Sequence, residues 1–248
     1  MTSRTPPEDV ILIPKEFLSL STLKGIVERY KGNRLEALQR DPNAFSSTYG
    51  RESQFAYETW LSRLENPLSK TFVAVEDKDP TPEQNIYNPV QRLLESEWLG
   101  QATLLGPKVL PQEGAETSKP WQVFSGTNLS EGPDFKTLGN AHATYLIVGV
   151  FVLPDRRRKG HGRRLIERAL MAARDEAKSA SAARATVGII VESGNNSARR
   201  LYERIGFKIQ GEELAVGGSE PLPVIGMTKD IDIESEHPVF GVCGAVAQ

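Results

Sequence analysis

Cysteines, histidines and long apolar runs are scarce in this chain. A single cysteine, Cys243, among 248 residues excludes an intrachain disulfide and favours a reduced, intracellular compartment. One cysteine and three histidines supply too few ligands to favour a zinc site. No apolar run approaches the ~20 residues that a membrane helix needs, and MTSRTPPEDV at the N-terminus lacks the apolar core of a signal peptide. We therefore expect a cytoplasmic protein, with the nucleus as the alternative, that holds no metal and contacts no membrane.

The composition indicates one ordinary globular domain. Hydrophobic residues make up 39% and charged residues 25% of the chain, and the formal net charge of −2 gives no global reason to expect nucleic acid as a partner. We predict a single domain over residues 1–248. Residues 77–140 are rich in Gly, Pro and polar side chains and are expected to contain a loop insertion, and residues 232–248 form an apolar C-terminal tail.

The most informative stretch spans residues 145–165. Residues 145–153 are almost entirely apolar, which is typical of a strand buried on both faces, and Pro154 ends that strand. After Gly162 the apolar residues follow helical spacing. A glycine pair at a helix N-terminus leaves backbone N–H groups free to bind an anion, and the neighbouring basic residues add positive charge. This stretch therefore predicts a phosphate site.

Three interpretations of this phosphate site differ in function. A basic turn could bind nucleic acid, since RRRKGHGRR has the necessary charge density. A nucleotide loop is disfavoured, because the spacing GxxxxGK[ST] is absent and Leu165 stands where the third glycine of GxGxxG belongs. The third interpretation is a loop for the pyrophosphate of coenzyme A.

The remaining pattern predicts alternating helices and strands. Helices are expected over residues 21–39, with an interruption around Gly32, and over residues 52–64. Short strands are expected over residues 10–13, 71–75, 98–105, 121–124 and 185–191, and a hairpin over residues 207–211 and 224–231. A short helix should begin at Asn195 and end at Gly206.

Two short motifs resemble the GNAT superfamily of acetyltransferases. Residues 157–162, RRKGHG, resemble its [QR]xxGxG signature at a strand-to-helix junction. Residues 195–207, NNSARRLYERIGF, resemble the NxxAxxLYxxxGF signature that follows in that family. The two motifs occur in the family's order, separated by one helix and one strand. The resemblance implies an α/β fold with a mixed, twisted sheet of about six or seven strands flanked by helices.

The resemblance also implies roles for individual residues. Acetyl-CoA would be the cosubstrate, with its pyrophosphate on the basic loop and its pantetheine arm along the central strand. Tyr202 would be the general acid that protonates the departing thiolate, and Asn195 would bind the coenzyme near its arm. The implied coenzyme-binding residues on the strand and loop are Val150, Phe151, Val152, Arg157, Arg158, Lys159, Gly160, His161 and Gly162.

No residue is identified as the general base with comparable strength. The central strand offers Ile147 and Gly149 where a carboxylate would be useful. Glu52, Glu97 and His142 are the candidates, with water as the alternative, and His161 is expected to face solvent or phosphate.

The resemblance implies transfer of an acetyl group to a primary amine by direct attack through a tetrahedral intermediate. Phe45 and Tyr49 are candidate walls of the acceptor site. A small-molecule acceptor is favoured over a protein N-terminus or lysine, and a non-catalytic module that binds coenzyme A is a further alternative. A homodimer is compatible with the apolar tail.

Overall fold

Seven strands form one mixed sheet in the computed structural model, which describes residues 9–17, 19–76, 88–110, 119–124, 137–215 and 222–233. The sheet order is β1-β2-β3-β4-β5-β7-β6, and β4 and β5 are the one parallel pair among these described strands. The strands are β1 (Val10–Leu12), β2 (Ser69–Glu76), β3 (Glu97–Val109), β4 (His142–Val152), β5 (Arg184–Glu192), β6 (Lys208–Ala215) and β7 (Leu222–Ile231). The expected mixed α/β sheet is confirmed.

Six α-helices flank the sheet within the described residues. They are α1 (Leu20–Arg40), α2 (Tyr49–Glu52), α3 (Tyr57–Glu65), α4 (Pro89–Glu95), α5 (His161–Ser179) and α6 (Asn196–Ile205). Short 3-10 helices occur at Pro42–Ala44, Pro120–Phe124 and Pro154–Arg156. Among these residues no helix is long and apolar enough to cross a membrane.

The two faces of the sheet bury different clusters. Phe72 and Ala74 of β2 pack in the core that contains Leu165 and Ala169 of α5, and we call this side the α5 face. Val73 and Val75 alternate with them and pack with residues of α1, α3 and α4 on the other side, the α1 face. The period of two along β2 therefore supplies both cores from one strand.

Helix α1 is continuous, so the expected interruption at Gly32 is wrong. Ser19 caps the helix by accepting a hydrogen bond from the Thr22 N–H, and the helix then runs unbroken to Arg40. A glycine inside a helix costs about 1 kcal/mol relative to alanine. Burial of Ile26, Val27 and Leu38 along one side outweighs that cost, since each apolar side chain contributes roughly 1.5–3 kcal/mol.

The helix expected over residues 52–64 is divided. Helix α2 is a single turn that Thr48 caps, and it ends at Glu52. The chain then turns, and α3 begins at Tyr57 after an extended Ala56. The apolar residues that suggested one helix belong mostly to α3, in which Trp60 and Leu64 are buried.

The strand expected over residues 121–124 is also wrong, because these residues form the 3-10 helix Pro120–Phe124. Residues three apart in a 3-10 helix lie on the same side. Trp121 and Phe124 therefore both face the sheet, where they pack against Leu146.

Much of the proposed insertion lies outside the described residues. Helix α4 and strand β3 lie within residues 77–140, as does Pro120–Phe124, while residues 77–87, 111–118 and 125–136 are not described. Of the C-terminal tail, only residues 232 and 233 are described.

Candidate active site

Strands β4 and β5 separate at their C-terminal ends. Their parallel pairing runs from His142 and Arg184 to Ile147 and Ile189, and stops there. Residues 148–152 of β4 continue beside β3, and residues 190–192 of β5 continue beside β7. We call the resulting gap between residues 148–152 and 190–192 the wedge. Its edges expose backbone groups that a bound chain could pair with.

A β-bulge shapes the β4 side of the wedge. Thr103 pairs with Val148 and Gln101 with Phe151, so three steps along β4 match two along β3. Gly149 lies in this bulge with a positive φ of 64°. A Cβ added to Gly149 would meet no atom of the described residues within 4 Å. The bulge therefore re-aims the backbone of β4 and leaves open space beside it.

The loop after β4 presents backbone N–H groups at the start of α5. Gly160 is the N-cap in a left-handed conformation, with φ of 87°, and no side chain of the described residues caps the helix. The first turn of α5 contains no acidic residue. Helix α5 therefore has an N-terminus that suits an anion, because the uncapped N–H groups and the helix dipole both favour negative charge.

The basic residues of this loop divide into anchored and free groups. Arg156 lies 2.7 Å from a carboxylate oxygen of Glu76 and 2.8 Å from one of Glu97. Arg157 donates to the carbonyl of Val152 at 3.0 Å and pairs with Asp41. Arg158 and Lys159 are exposed, and neither forms an ion pair with any residue in the described part of the chain. Arg156 and Arg157 therefore fix the loop, and Arg158 and Lys159 are free to meet an anion.

His161 is buried, so the expectation that it faces solvent or phosphate is not met. Its Nδ1 lies 2.8 Å from Nη2 of Arg164 and 3.7 Å from a carboxylate oxygen of Asp9. Burial lowers the pKa of His161, and the charge of Arg164 lowers it further. The imidazole ring thus joins the start of α5 to the segment that precedes β1, while its backbone N–H remains at the helix N-terminus.

Helix α6 packs against the start of α5. A Cβ added to Gly162 would lie 3.3 Å from Cδ2 of Leu201 and 3.7 Å from Cγ2 of Val152. This close approach brings the end of β4, the start of α5 and the middle of α6 together at one end of the sheet. Gly162 of the first motif therefore lies against Leu201 of the second motif.

Asn195 begins this second motif, and Tyr202 lies near its middle. Asn195 is the N-cap of α6, and its Oδ1 accepts a hydrogen bond from the Ala198 N–H at 3.1 Å. Tyr202 is 5% exposed and its ring centroid lies 6.1 Å from that of Phe207. Burial raises the pKa of Tyr202. Its hydroxyl group is therefore protonated at neutral pH, which a proton donor requires.

Glu52 is an anchored carboxylate. Its side chain is 1% exposed and accepts hydrogen bonds from Arg34 at 2.8 and 3.2 Å and from Arg63 at 2.7 Å. Burial alone would raise the pKa of Glu52, but these hydrogen bonds outweigh that effect and lower it to about 2. A carboxylate so stabilised in its ionised form is a weak base, and Glu52 instead ties α1 to α2 and α3.

Glu97 and His142 lie away from the bulge. Glu97 begins β3 and is paired with Arg156 of the basic loop. His142 begins β4, ten residues before Val152, which is about 30 Å along a strand. Its Nε2 lies 2.8 Å from Oγ1 of Thr186, and burial lowers the pKa of His142. The structure therefore gives Glu97 and His142 other partners and brings neither to the wedge.

Phe45 lies close to the wedge on the α1 face. It packs with Phe151, Leu153 and Ala37, and the guanidinium carbon of Arg34 lies 4.6 Å from the centroid of its ring. Tyr49 is 40% exposed at the start of α2. Phe45 is thus placed against β4 itself, whereas Tyr49 borders the solvent on the same side.

Comparison with known proteins agrees with this geometry. Residues 133–209 match the family model of the acetyltransferase (GNAT) domain, and both motifs lie within this segment. This segment of the chain is therefore similar to the acetyltransferase (GNAT) domain.

Solved structures share the fold at low sequence identity. NAA60 of Arabidopsis thaliana, in complex with a bisubstrate analogue, is 15% identical with a TM-score of 0.51, covering 90% of this chain and 99% of that chain. A GNAT acetyltransferase from Streptococcus pneumoniae is 16% identical with a TM-score of 0.50, with coverage of 90% and 99%. No curated protein matches the chain.

The residues at the wedge fit acetyl-CoA. The uncapped start of α5 and the free side chains of Arg158 and Lys159 suit a pyrophosphate. The open space beside Gly149 leaves room for a chain along the backbone of β4. Within the described residues no group of three or more His, Cys, Asp or Glu could hold a metal ion.

Proposed function

We propose that this protein is a GNAT-type acetyltransferase, which transfers the acetyl group of acetyl-CoA to the primary amine of a small molecule that attacks the thioester directly. The observation that supports this proposal most strongly is the adjacency of three features. The wedge, the bulge at Gly149 and the uncapped start of α5 lie at the same end of the sheet. Acetyl-CoA supplies the activated acetyl thioester.

The strand residues would hold the coenzyme arm by their backbone. Val150, Phe151 and Val152 follow the bulge, where β4 has no partner on the β5 side. Their peptide groups can donate and accept hydrogen bonds without any change in the sheet. A backbone N–H at this edge could also stabilise the charge that develops on the carbonyl oxygen, and loss of such a donor typically costs ~10²–10³ in rate.

The loop residues would hold the phosphates. Backbone N–H groups of Gly160, His161 and Gly162 lie at the positive end of the α5 dipole. Arg157 would act through the loop, because its guanidinium is engaged by Asp41 and the Val152 carbonyl. Arg158 and Lys159 would contribute their side-chain charge.

Helix α6 would supply the remaining polar groups. The Oδ1 of Asn195 is used by the cap, so its amide NH₂ is the part of the side chain that would reach the coenzyme arm. Tyr202 would give its proton to the departing thiolate. Because burial raises the pKa of Tyr202, its hydroxyl group still carries this proton at neutral pH.

Deprotonation of the amine would be left to water. Among the described residues that border the wedge, β4 offers no carboxylate or imidazole, and the one carboxylate is Glu192 of β5, which accepts a hydrogen bond from the Gly194 N–H at 2.8 Å. Glu52 has a pKa lowered to about 2, and Glu97 and His142 are engaged elsewhere. The enzyme would therefore bind the neutral fraction of the amine, and its rate would rise with pH toward the pKa of the acceptor.

Two chain segments beside the wedge on the α1 face favour a small acceptor. The 3-10 helix Pro42–Ala44 contacts β5, and Pro120–Phe124 contacts β4 and β5 on the α1 face. Phe45 follows the first of these segments and packs on Phe151. Two chain segments thus border the same side of the wedge, and this arrangement favours a compact acceptor over an extended polypeptide.

A panel of acceptors tests the proposed function. Free coenzyme A should be released from acetyl-CoA with small primary amines and more slowly with peptides that present an N-terminus or a lysine. Acetyl-CoA alone should raise the melting temperature, because a ligand that binds only the native state stabilises it. Efficient acetylation of peptides with no reaction on small amines would replace the small-molecule assignment with a protein acceptor. A melting temperature unmoved by saturating acetyl-CoA would contradict the proposal at its first step.

A further inference from the structure

Trp121 occupies a slot on the sheet that two glycines form. A Cβ added to Gly226 of β7 would lie 2.1 Å from Cη2 and 2.2 Å from Cζ2 of Trp121. A Cβ added to Gly188 of β5 would lie 3.6 Å from Cε3 of the same ring. Trp121 is 4% exposed, so its ring lies directly on bare backbone of two adjacent strands. Any larger residue at position 226 would expel it.

The slot lies at the base of the wedge. Gly188 pairs with Leu146, one step before Ile147 and Ile189, the last pair between β4 and β5. Val187 and Ile189 face the α5 core, so Gly188 between them faces the opposite side, the α1 face. The slot therefore spans the point at which the wedge opens, because Gly188 lies one residue before the last pair and Gly226 pairs with Ile190, one residue beyond it.

The surroundings of the slot are apolar. Trp121 packs with Phe124 and Leu146, and Leu105 and Val148 join them. Val148 is itself the first β4 residue of the wedge. Across the wedge, Ile190 pairs with Gly226 and is 39% exposed. An apolar surface thus continues from the slot of Trp121 to the mouth of the wedge.

The charges near this surface disfavour a polycation. Lys108 places its ammonium nitrogen 6.0 Å from the centroid of the Phe124 ring. Asp230 pairs in register with Thr186, on the side of Trp121 away from the wedge, and accepts a hydrogen bond from Oγ1 of Thr186 at 2.7 Å. Glu192 accepts a hydrogen bond from the Gly194 N–H at 2.8 Å. Each of these carboxylates already accepts a hydrogen bond, so each attracts a second ammonium group less than a free carboxylate would.

We propose that Trp121 forms the inner wall of the acceptor site and selects amines that carry a compact apolar body and a single positive charge, in preference to polyamines. This inference rests on the proposed function and names the substrate class of that same site. The amine nitrogen would lie in the wedge beside β4, and the apolar body would rest against Trp121, Val148 and Ile190. Trp121 is a binding residue in this proposal and takes no part in bond making.

Two variants change the wall in different ways. Trp121→Ala removes the ring, and Gly226→Ala leaves the ring intact but occupies its slot. Both variants should lower kcat/KM for phenethylamine and hexylamine by about tenfold to a hundredfold, the range that apolar contacts provide in enzyme specificity. Both should leave the Kd for acetyl-CoA within about twofold, because neither change touches the coenzyme loop, and both should lower the ratio of kcat/KM for phenethylamine to that for spermidine. Trp121→Phe serves as the milder substitution where the alanine variant fails to fold.

Trp60→Phe is the matched control. Trp60 is also fully buried on the α1 face, but it packs with Tyr30 and Phe55 away from β4 and β5. This variant should lose stability without changing the ratio of kcat/KM for phenethylamine to that for spermidine. A wild-type preference for spermidine would overturn this inference but not the proposed function. The same holds if both Trp121→Ala and Gly226→Ala still transfer acetyl groups with an unchanged ratio of kcat/KM for phenethylamine to that for spermidine. Absence of coenzyme A release with every amine would overturn the proposed function and this inference with it.

Discussion

Ile147 and Ile189 are the last residues to pair between the parallel strands β4 and β5. Both side chains are buried in the core beneath α5, at 1% and 0% exposure. The sheet is therefore firmly closed up to this pair and open directly beyond it. The chemistry that we propose depends on this boundary, because the opened backbone of β4, the start of α5 and Tyr202 all lie beyond it.

Tyr202→Phe should separate catalysis from coenzyme binding. The substitution removes one hydroxyl from a buried ring that packs on Phe207, and it keeps the packing. General acid catalysis contributes ~10²–10⁴ in rate, so kcat should fall by about a hundredfold while the Kd for acetyl-CoA stays constant. Steady-state kinetics and calorimetric titration measure the two quantities. Since burial raises the pKa of Tyr202, the phenol should stay protonated between about pH 6 and 9. An unchanged kcat over that range would remove Tyr202 from the mechanism.

Gly160→Ala should weaken acetyl-CoA binding. Gly160 has φ of 87°, and a Cβ there would lie 2.9 Å from Nη1 of Arg164. A left-handed conformation costs a residue with a Cβ roughly 1–2 kcal/mol, so the Kd should rise about tenfold as the loop relaxes.

Gly32→Ala is the control for this substitution. Gly32 lies inside α1, and a Cβ there would meet nothing within 4 Å in the part of the chain that the structure describes. This variant should raise the free energy of unfolding by up to about 1 kcal/mol and leave the Kd unchanged. Equal binding by the Gly160→Ala variant would show that the loop conformation is not needed for the coenzyme.

Glu52→Gln should destabilise the fold without removing a base. The pKa of Glu52 is about 2 in the folded protein, against the ordinary value of 4.5 in an unfolded chain, so its ionisation stabilises the fold above about pH 4.5. That contribution is lost as the pH falls through the folded value of about 2. We expect the variant to lose about 3 kcal/mol at pH 7, because Arg34 and Arg63 lose their buried partner. The difference from wild type should shrink toward acid, where Glu52 is itself protonated.

Chemical denaturation at pH 7 and at about pH 3 measures this difference, and kinetics below the melting temperature complete the test. The folded variant should keep the pH profile of the wild-type kcat. If kcat of the variant no longer rose with pH as it does in the wild type, and the free energy of unfolding were unchanged, Glu52 would be the general base.

The local sequence pattern was sufficient to predict the elements that form the coenzyme half of the site. Strand β4, the loop to Gly162 and the caps of α6 follow from residues adjacent in sequence, and the structure contains each of them. Gly149 within an apolar strand was a readable sign of a bulge. The acceptor half depends on distant pairs. Glu52 could not be recognised as an ion-pair partner of Arg34 and Arg63, and the slot of Trp121 is built from two glycines of other strands. Periodicity does not report such contacts.

Neutralising Arg158 and Lys159 together should weaken acetyl-CoA binding and reduce its dependence on salt. Both side chains are exposed at the start of α5 and make no ion pair within the described residues, so their loss should leave the loop in place. Arg158→Gln with Lys159→Gln should raise the Kd for acetyl-CoA by about tenfold at low ionic strength and by less at high salt, where the charges are screened. Lys178→Gln is the control, since Lys178 lies in the last turn of the 19-residue helix α5, about 26 Å from its start. Titrations at two salt concentrations should give parallel curves for wild type and the control, and a flatter dependence for the double variant. Equal salt dependence in all three proteins would assign the phosphate contacts to the backbone of Gly160 and Gly162 alone.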